Sequence, residues 1–244
     1  MYNSDDFEKD DIFHKIFGAN PAMISEQHVN LRNRLKEMIL NEHDEHALDL
    51  YVKLSSAQNR INYTMYARIF GLCRLLKVTD IFDIGCGTQY PLFLISPYQD
   101  MSYTGIDCSD ELQYSSANEL LTTYFDGRIK IKKAQYPFRI TPRRNNIAIA
   151  CGWLGEFAES EKDITRAFSR DFDRVLIDIH GVADFDISSQ AWEREVTDFE
   201  LYKINSNRMI VSTKFPEEIA VMGKNDYNYD DENFSIPYVD SVVV

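Results

Sequence analysis

The chain has 244 residues, 44% of them apolar, with 39 acidic against 26 basic side chains and a formal net charge of -13. That apolar content suffices for one sizeable core, and the acid excess repels a phosphate backbone, which disfavours nucleic acid as a partner. The longest apolar runs, such as 147–154, fall short of the roughly 20 residues that cross a bilayer, so no membrane span is expected.

The opening residues MYNSDDFEKDD have neither the basic start and apolar stretch of a secretory signal nor the arginines of a transit peptide. A cytoplasmic protein is the expectation. Cysteines at 73, 86, 108 and 151 form no CxxC pair, and neither a zinc site nor a disulfide framework is suggested.

Residues 1–80 read as helical. Leu31, Leu35, Met38 and Ile39 recur at helical spacing, and Ile61, Met65, Ile69, Leu72 and Leu76 make a longer stripe, with Ser55 and Gln58 as a capping box. Between them, Glu42, His43 and His46 have a spacing that mimics metal ligands, but a solvated polar link is the reading, and no metal is expected. Residues 1–54 are expected to form a helical segment, or lid, ahead of a domain spanning 55–244.

From residue 80 short apolar runs alternate with helical patterns, as in repeated β-α units around a mostly parallel sheet. Strands are expected near 79–84, 101–106, 128–133, 146–151, 173–179 and 208–213. Helices are expected around Leu112 to Tyr124, around Ile164, Ala167 and Phe168 with Ser160 and Asp163 as the cap, and around Trp192, Val196 and Phe199. The stretch 223–233 reads as an acidic loop, and FSIPYVDSVVV as an edge strand limited by Pro237.

The chemistry concentrates in TDIFDIGCGTQYP. A strand ending at Ile84 runs into Gly85, Cys86 and Gly87, where glycine permits positive φ and close approach of a ligand to the backbone, and Asp83 places a carboxylate at the strand mouth. Asp107 ends the next strand, 22 residues after Gly85. An acid there is placed to bond the ribose hydroxyls of a nucleotide. No GxxxxGK[ST] P-loop is present, and Tyr90 stands where a dinucleotide fingerprint needs its third glycine.

At these residues the chain resembles the class I S-adenosylmethionine-dependent methyltransferases, over roughly 55–215. The resemblance implies a doubly wound, mostly parallel, seven-stranded Rossmann-like α/β sheet, with S-adenosylmethionine as cofactor and S-adenosylhomocysteine as product. It implies that Asp83, Gly85 and Gly87 border the methionyl part, with Cys86 between the glycines among the cofactor-binding residues, that Asp107 holds the ribose, and that Cys108 lies against the adenine. Gln135 stands where the family often has an acid facing the adenine amino group. Cys151, Gly152 and Trp153 would line the transferable methyl, and the [DN]PP[YF] motif is absent there.

His180, directly after the fifth strand, is the candidate base, ahead of Glu156 and Asp178. Charge and the missing motif point to a small-molecule or sugar-like acceptor and direct in-line transfer. A SAM-binding scaffold without activity and a protein methyltransferase stay open as alternatives, and a homodimer is allowed. The basic pairs Lys132, Lys133 and Arg143, Arg144 read as solvated ends and not as a nucleic-acid groove.

Overall fold

The computed structural model describes residues 33–42, 44, 47, 69–87, 100–108, 126–142, 144–151, 161–178, 199–204 and 209–224. Seven strands run through them: β1 (Asp80–Ile84), β2 (Ser102–Asp107), β3 (Ile129–Lys133), β4 (Asn146–Cys151), β5 (Arg174–Asp178), β6 (Glu200–Ile204) and β7 (Met209–Thr213). Two helices follow β4 and β7, α1 (Glu161–Asp171) and α2 (Pro216–Lys224). The strands form one sheet in the order β3-β2-β1-β4-β5-β7-β6. β1, β4 and β5 pair in parallel, and β7 runs antiparallel to both β5 and β6.

Strand composition accounts for these places. In β4, residues 147–150 alternate Ile and Ala and are all fully buried, which is the pattern of a central strand covered on both faces. By contrast β3 is IKIKK with alternating burial and three exposed lysines, and lysines suit a sheet edge that must not recruit another strand. The six strands expected from the sequence are found within one or two residues of their predicted ends.

β6 was not expected. The stripe Trp192, Val196 and Phe199 points to a helix leading straight into the last strand, yet Phe199 is a buried bend residue and the chain is already extended from Glu200. Leu201 and Tyr202 before NSN, then MIVST, is a strand-turn-strand signal that the helical stripe overshadows. α2 was not expected either, and it takes in Gly223 and Lys224, the first residues of the predicted loop. Pro216 at its first position, Glu217 and Glu218 in its first turn and Lys224 in its last satisfy the end preferences of a helix.

Contacts divide the chain into two compact units: residues 1–72, 87–103 and 109–131, and residues 73–86, 104–108 and 132–244. In the first, a helical run over 33–42 ends in a π-helical turn, Met38–Glu42, and buries Leu35, Met38 and Ile39. Arg34 bonds Glu37 at 3.1 Å and Glu42 at 2.6 Å on its outer side. Asp44 Oδ1 accepts from the Ala47 amide at 3.0 Å. Phe70 packs edge-on against Tyr103. His43, His46 and the Ser55–Gln58 capping box lie outside the described residues.

The second unit holds the larger core. Ile164, Ala167 and Phe168, spaced to share one face of α1, pack with Phe172, Val175, Ile177, Ile84 and Ala150. Among the described residues no helix joins β3 to β4: 134–142, 144 and 145 are irregular, and Tyr136 stacks on Phe168 with ring centres 5.1 Å apart. Tyr136 Oη donates to Asp171 Oδ2 at 3.3 Å. Burial and the Asp171 charge raise this phenol well above its ordinary range.

At the start of β5, Arg174 is 4% exposed. Its Nε bonds both Glu218 oxygens at 2.9 Å, Nη1 donates to the Asn146 carbonyl at 3.3 Å, and the guanidinium lies over the Phe215 ring at 4.6 Å. Thr213 Oγ1 donates to Glu218 Oε2 at 2.6 Å, so one carboxylate ties α2 to both β5 and β7. Asn146 and Asp173 exchange two hydrogen bonds, at 2.9 and 3.1 Å, that hold the starts of β4 and β5 together.

Candidate functional site

The glycine turn forms where β1 leaves the sheet. Gly85 has φ 73° and Gly87 φ 56°, a left-handed geometry that side-chain-bearing residues rarely adopt. Its first two amides are anchored: Gly85 N donates to the Ile106 carbonyl at 2.7 Å and Cys86 N to the same oxygen at 3.3 Å. The turn is thereby held against the end of β2, beside Asp107. Asp107 is half-buried, and its carbonyl accepts from Ala134 N at 2.8 Å, which brings the exposed Gln135 into the same neighbourhood.

Register extends the row of strand ends. Ile84 lies opposite Ala150, and Cys151 opposite Asp178, so the carboxyl ends of β1, β4 and β5 are level. In open α/β sheets this is the edge beyond which ligands bind. Gly85, Cys86, Gly87, Asp107, Cys108 and Cys151 fall at the carboxyl ends of β1, β2 and β4, and Gln135 lies two residues past the end of β3. Gly152, Trp153, Glu156 and His180 lie outside the described residues.

Two side chains sit differently from the sequence expectation. Asp83 is fully buried within β1, opposite Ile149, so its carboxylate is enclosed beneath the turn and not at the open mouth of the strand. The reason is its position in the pleat: in a central strand both faces are covered, so a side chain is buried whichever way it points. Its Oδ1 receives no hydrogen bond.

Cys86 is the other case, with a thiol 2% exposed. Burial, then the negative charges of Asp83 and Asp107, push it well above the ordinary thiol range. Such a thiol packs as a small apolar group and is not a nucleophile. Cys108, one residue beyond Asp107, is exposed.

Sequence reasoning had no means of finding Ile106, whose carbonyl braces the turn. Backbone acceptors leave no mark in residue type.

The residues present fit an adenosine-type cofactor. Asp107 offers two acceptor oxygens at the end of β2, Gln135 offers both a donor and an acceptor nearby, and a Cβ built on Gly87 would meet nothing within 4 Å among the described residues.

The sheet order, the reversed β7 and the left-handed glycine turn after β1 define a Rossmann-like, mostly parallel α/β fold. Among solved structures it is similar to an O-methyltransferase family protein from Burkholderia thailandensis, with TM-score 0.48, 12% identity and coverage of 85% of this chain and 70% of that one. It is similar also to the methyltransferase domain of bacterial CtHen1, with TM-score 0.47, 12% identity and coverage of 62% and 98%. A third is the cyclase SpnF, with TM-score 0.41, 14% identity and coverage of 54% and 58%; the chain thus spans under two thirds of that protein. No protein-family model and no curated protein matches the chain. Among the described residues no helix is long and apolar enough to cross a membrane.

Proposed function

We propose that the chain binds S-adenosylmethionine at the carboxyl ends of β1 and β2 and methylates a small molecule or sugar-like metabolite. The observation that carries this reading is the left-handed turn at Gly85, braced on the Ile106 carbonyl beside the half-buried Asp107. In this reading Asp107 accepts hydrogen bonds from the ribose hydroxyls. Gln135 meets the adenine edge, and Gly85 and Gly87 lie along the methionyl portion. Asp83, enclosed below, stabilises the turn.

When bound, the cofactor supplies an electrophilic methyl on a sulfonium. The chain's own contribution is to hold the acceptor atom in line with that methyl, and orientation of this kind is worth roughly 7–11 kcal/mol of the barrier. An oxygen or nitrogen acceptor also loses a proton, and His180, two residues beyond the end of β5, is the residue proposed to take it. Cys151, Gly152 and Trp153 are proposed to line the methyl.

Calorimetric titration with S-adenosylmethionine and S-adenosylhomocysteine tests the cofactor assignment. Both are expected to bind, and Asp107→Ala is expected to weaken each by about tenfold or more, about 1.4 kcal/mol. If neither ligand binds the folded protein, the reading fails.

A second reading is favoured by the exposed amide Gln135 where related enzymes often carry an acid: the chain binds the cofactor without transferring its methyl. Binding with no methyl released to any of a panel of small hydroxylated or amine acceptors would select it.

A further inference from the structure

The irregular β3–β4 crossing leaves a groove of about 680 Å³ on the second unit. Its floor is Pro137, Phe138, Ile140 and Pro142, and its rim is Arg139 and Arg170. Most parallel crossovers carry a helix over the sheet at this point. Here Tyr136 and Phe138 cover the core from within, and no described residue lies over the outer side of the groove.

The charge of this groove runs against that of the molecule. Its lining holds two guanidinium groups, Arg139 and Arg170, against one carboxylate, Asp171, whereas the whole chain carries a net charge of -13. Asp171 is the acid in the lining, and its side chain is 6% exposed. It is held below the surface by Arg170 Nε at 2.6 Å, Arg170 Nη2 at 2.8 Å and the Tyr136 hydroxyl. Arg170 therefore neutralises Asp171 with one edge and keeps its Nη1 donors for the outside.

Among the described residues Arg139 makes no ion pair, and the Lys132 ammonium sits over the Phe138 ring at 4.2 Å with no carboxylate on it. In a chain where acids outnumber bases by 39 to 26, neither of these two cations meets a carboxylate among the described residues. The lining thus combines four apolar side chains with the exposed guanidinium groups of Arg139 and Arg170.

We propose that this groove docks an acidic segment of a partner protein, with apolar side chains on Pro137, Ile140 and Pro142 and carboxylates on Arg139, Arg170 and Lys132. Two features favour a short acidic peptide over a nucleic acid. A polyanion long enough to release many counterions would run off this patch onto a strongly acidic surface. The one aromatic ring of the floor is already covered by Lys132 and offers no stacking platform for bases. Pro137 and Pro142 have no amide hydrogen, so side chains rather than backbone pairing carry the contact.

The test uses the full chain and a fluorescent peptide that alternates Glu with Leu and Phe, read by anisotropy at low salt. Binding that weakens with added salt, and about tenfold or more in Arg139→Glu, is expected, because a like charge set opposite a carboxylate is strongly disfavoured. Lys224→Glu, at the end of α2, makes the same change of net charge elsewhere and is expected to leave binding unchanged. Arg139 is exposed, so its variant should keep the wild-type melting temperature. The proposal is overturned if the peptide does not bind, if Lys224→Glu weakens it as much as Arg139→Glu, or if a single-stranded RNA of equal charge binds more tightly. None of these readouts depends on the cofactor assignment.

Discussion

Replacing Glu218 by Ala should be among the most damaging single changes in the second unit. The substitution leaves the Arg174 guanidinium, 4% exposed, with only the Asn146 carbonyl and the Phe215 ring as company. Removing one member of a buried pair costs about 3–5 kcal/mol because the remaining charge stays buried without compensation. Loss of the Thr213 acceptor falls within the same figure. For a chain of this size each kcal/mol moves the melting temperature by about 2–4 °C, so a fall of roughly 6–20 °C is expected. Thermal melts followed by circular dichroism measure the shift, and urea unfolding measures the free energy.

The double variant Arg174→Met with Glu218→Leu removes both charges together and should recover most of the loss, since apolar replacement of a buried pair is close to neutral. Arg174 is the first residue of β5, about 13 Å along the strand from its carboxyl end, so cofactor affinity should not change in the folded double variant. A loss below about 1 kcal/mol in Glu218→Ala, or a double variant no more stable than the single one, would refute the reasoning.

Other expectations follow from the same structure. Gly87→Ala meets no steric obstacle among the described residues, so its stability cost should be only the roughly 1–2 kcal/mol of a left-handed alanine, while S-adenosylmethionine affinity falls further because the space over the turn is taken; equal effects on both would count against the site. Thiol labelling of the native protein should modify Cys108 and spare Cys73 and Cys86 until the chain unfolds.

Alkaline pH should destabilise the fold. Burial pushes the Cys73 thiol up to about 12 and Cys86 in the same direction, so the unfolded chain loses these protons first. Their contribution is complete below about pH 9 and falls by up to about 1.4 kcal/mol per pH unit per thiol as pH rises toward the folded value. Denaturant melts from pH 8 to 11 should show that slope, and Cys73→Ala should reduce it.

Much of the site was legible in the sequence because its parts are local. Gly85 and Gly87 declare a turn by residue type, Asp107 declares a strand end by its distance from them, and β4 declares a central position by alternating Ile and Ala without a polar break. Asp83 shows where this stops, since its residue type is that of a surface group while a covered sheet encloses it. β6 and α2 were missed for a related reason: Phe199 fits a helical stripe as well as a buried strand entry, and nothing local decides between them.

Sequence alone thus determined six of the seven strands, the glycine turn and the acid that follows. Only the tertiary structure decided the order of the sheet, the reversed β7, the pairing of Arg174 with Glu218 from 44 residues away, and the placing of Arg139 beside Arg170. Strand and turn formation follow from the conformational preferences of a few neighbouring residues. Pairings between distant residues depend on which surfaces are buried together when the whole sheet closes, and no short stretch of chain encodes that by itself.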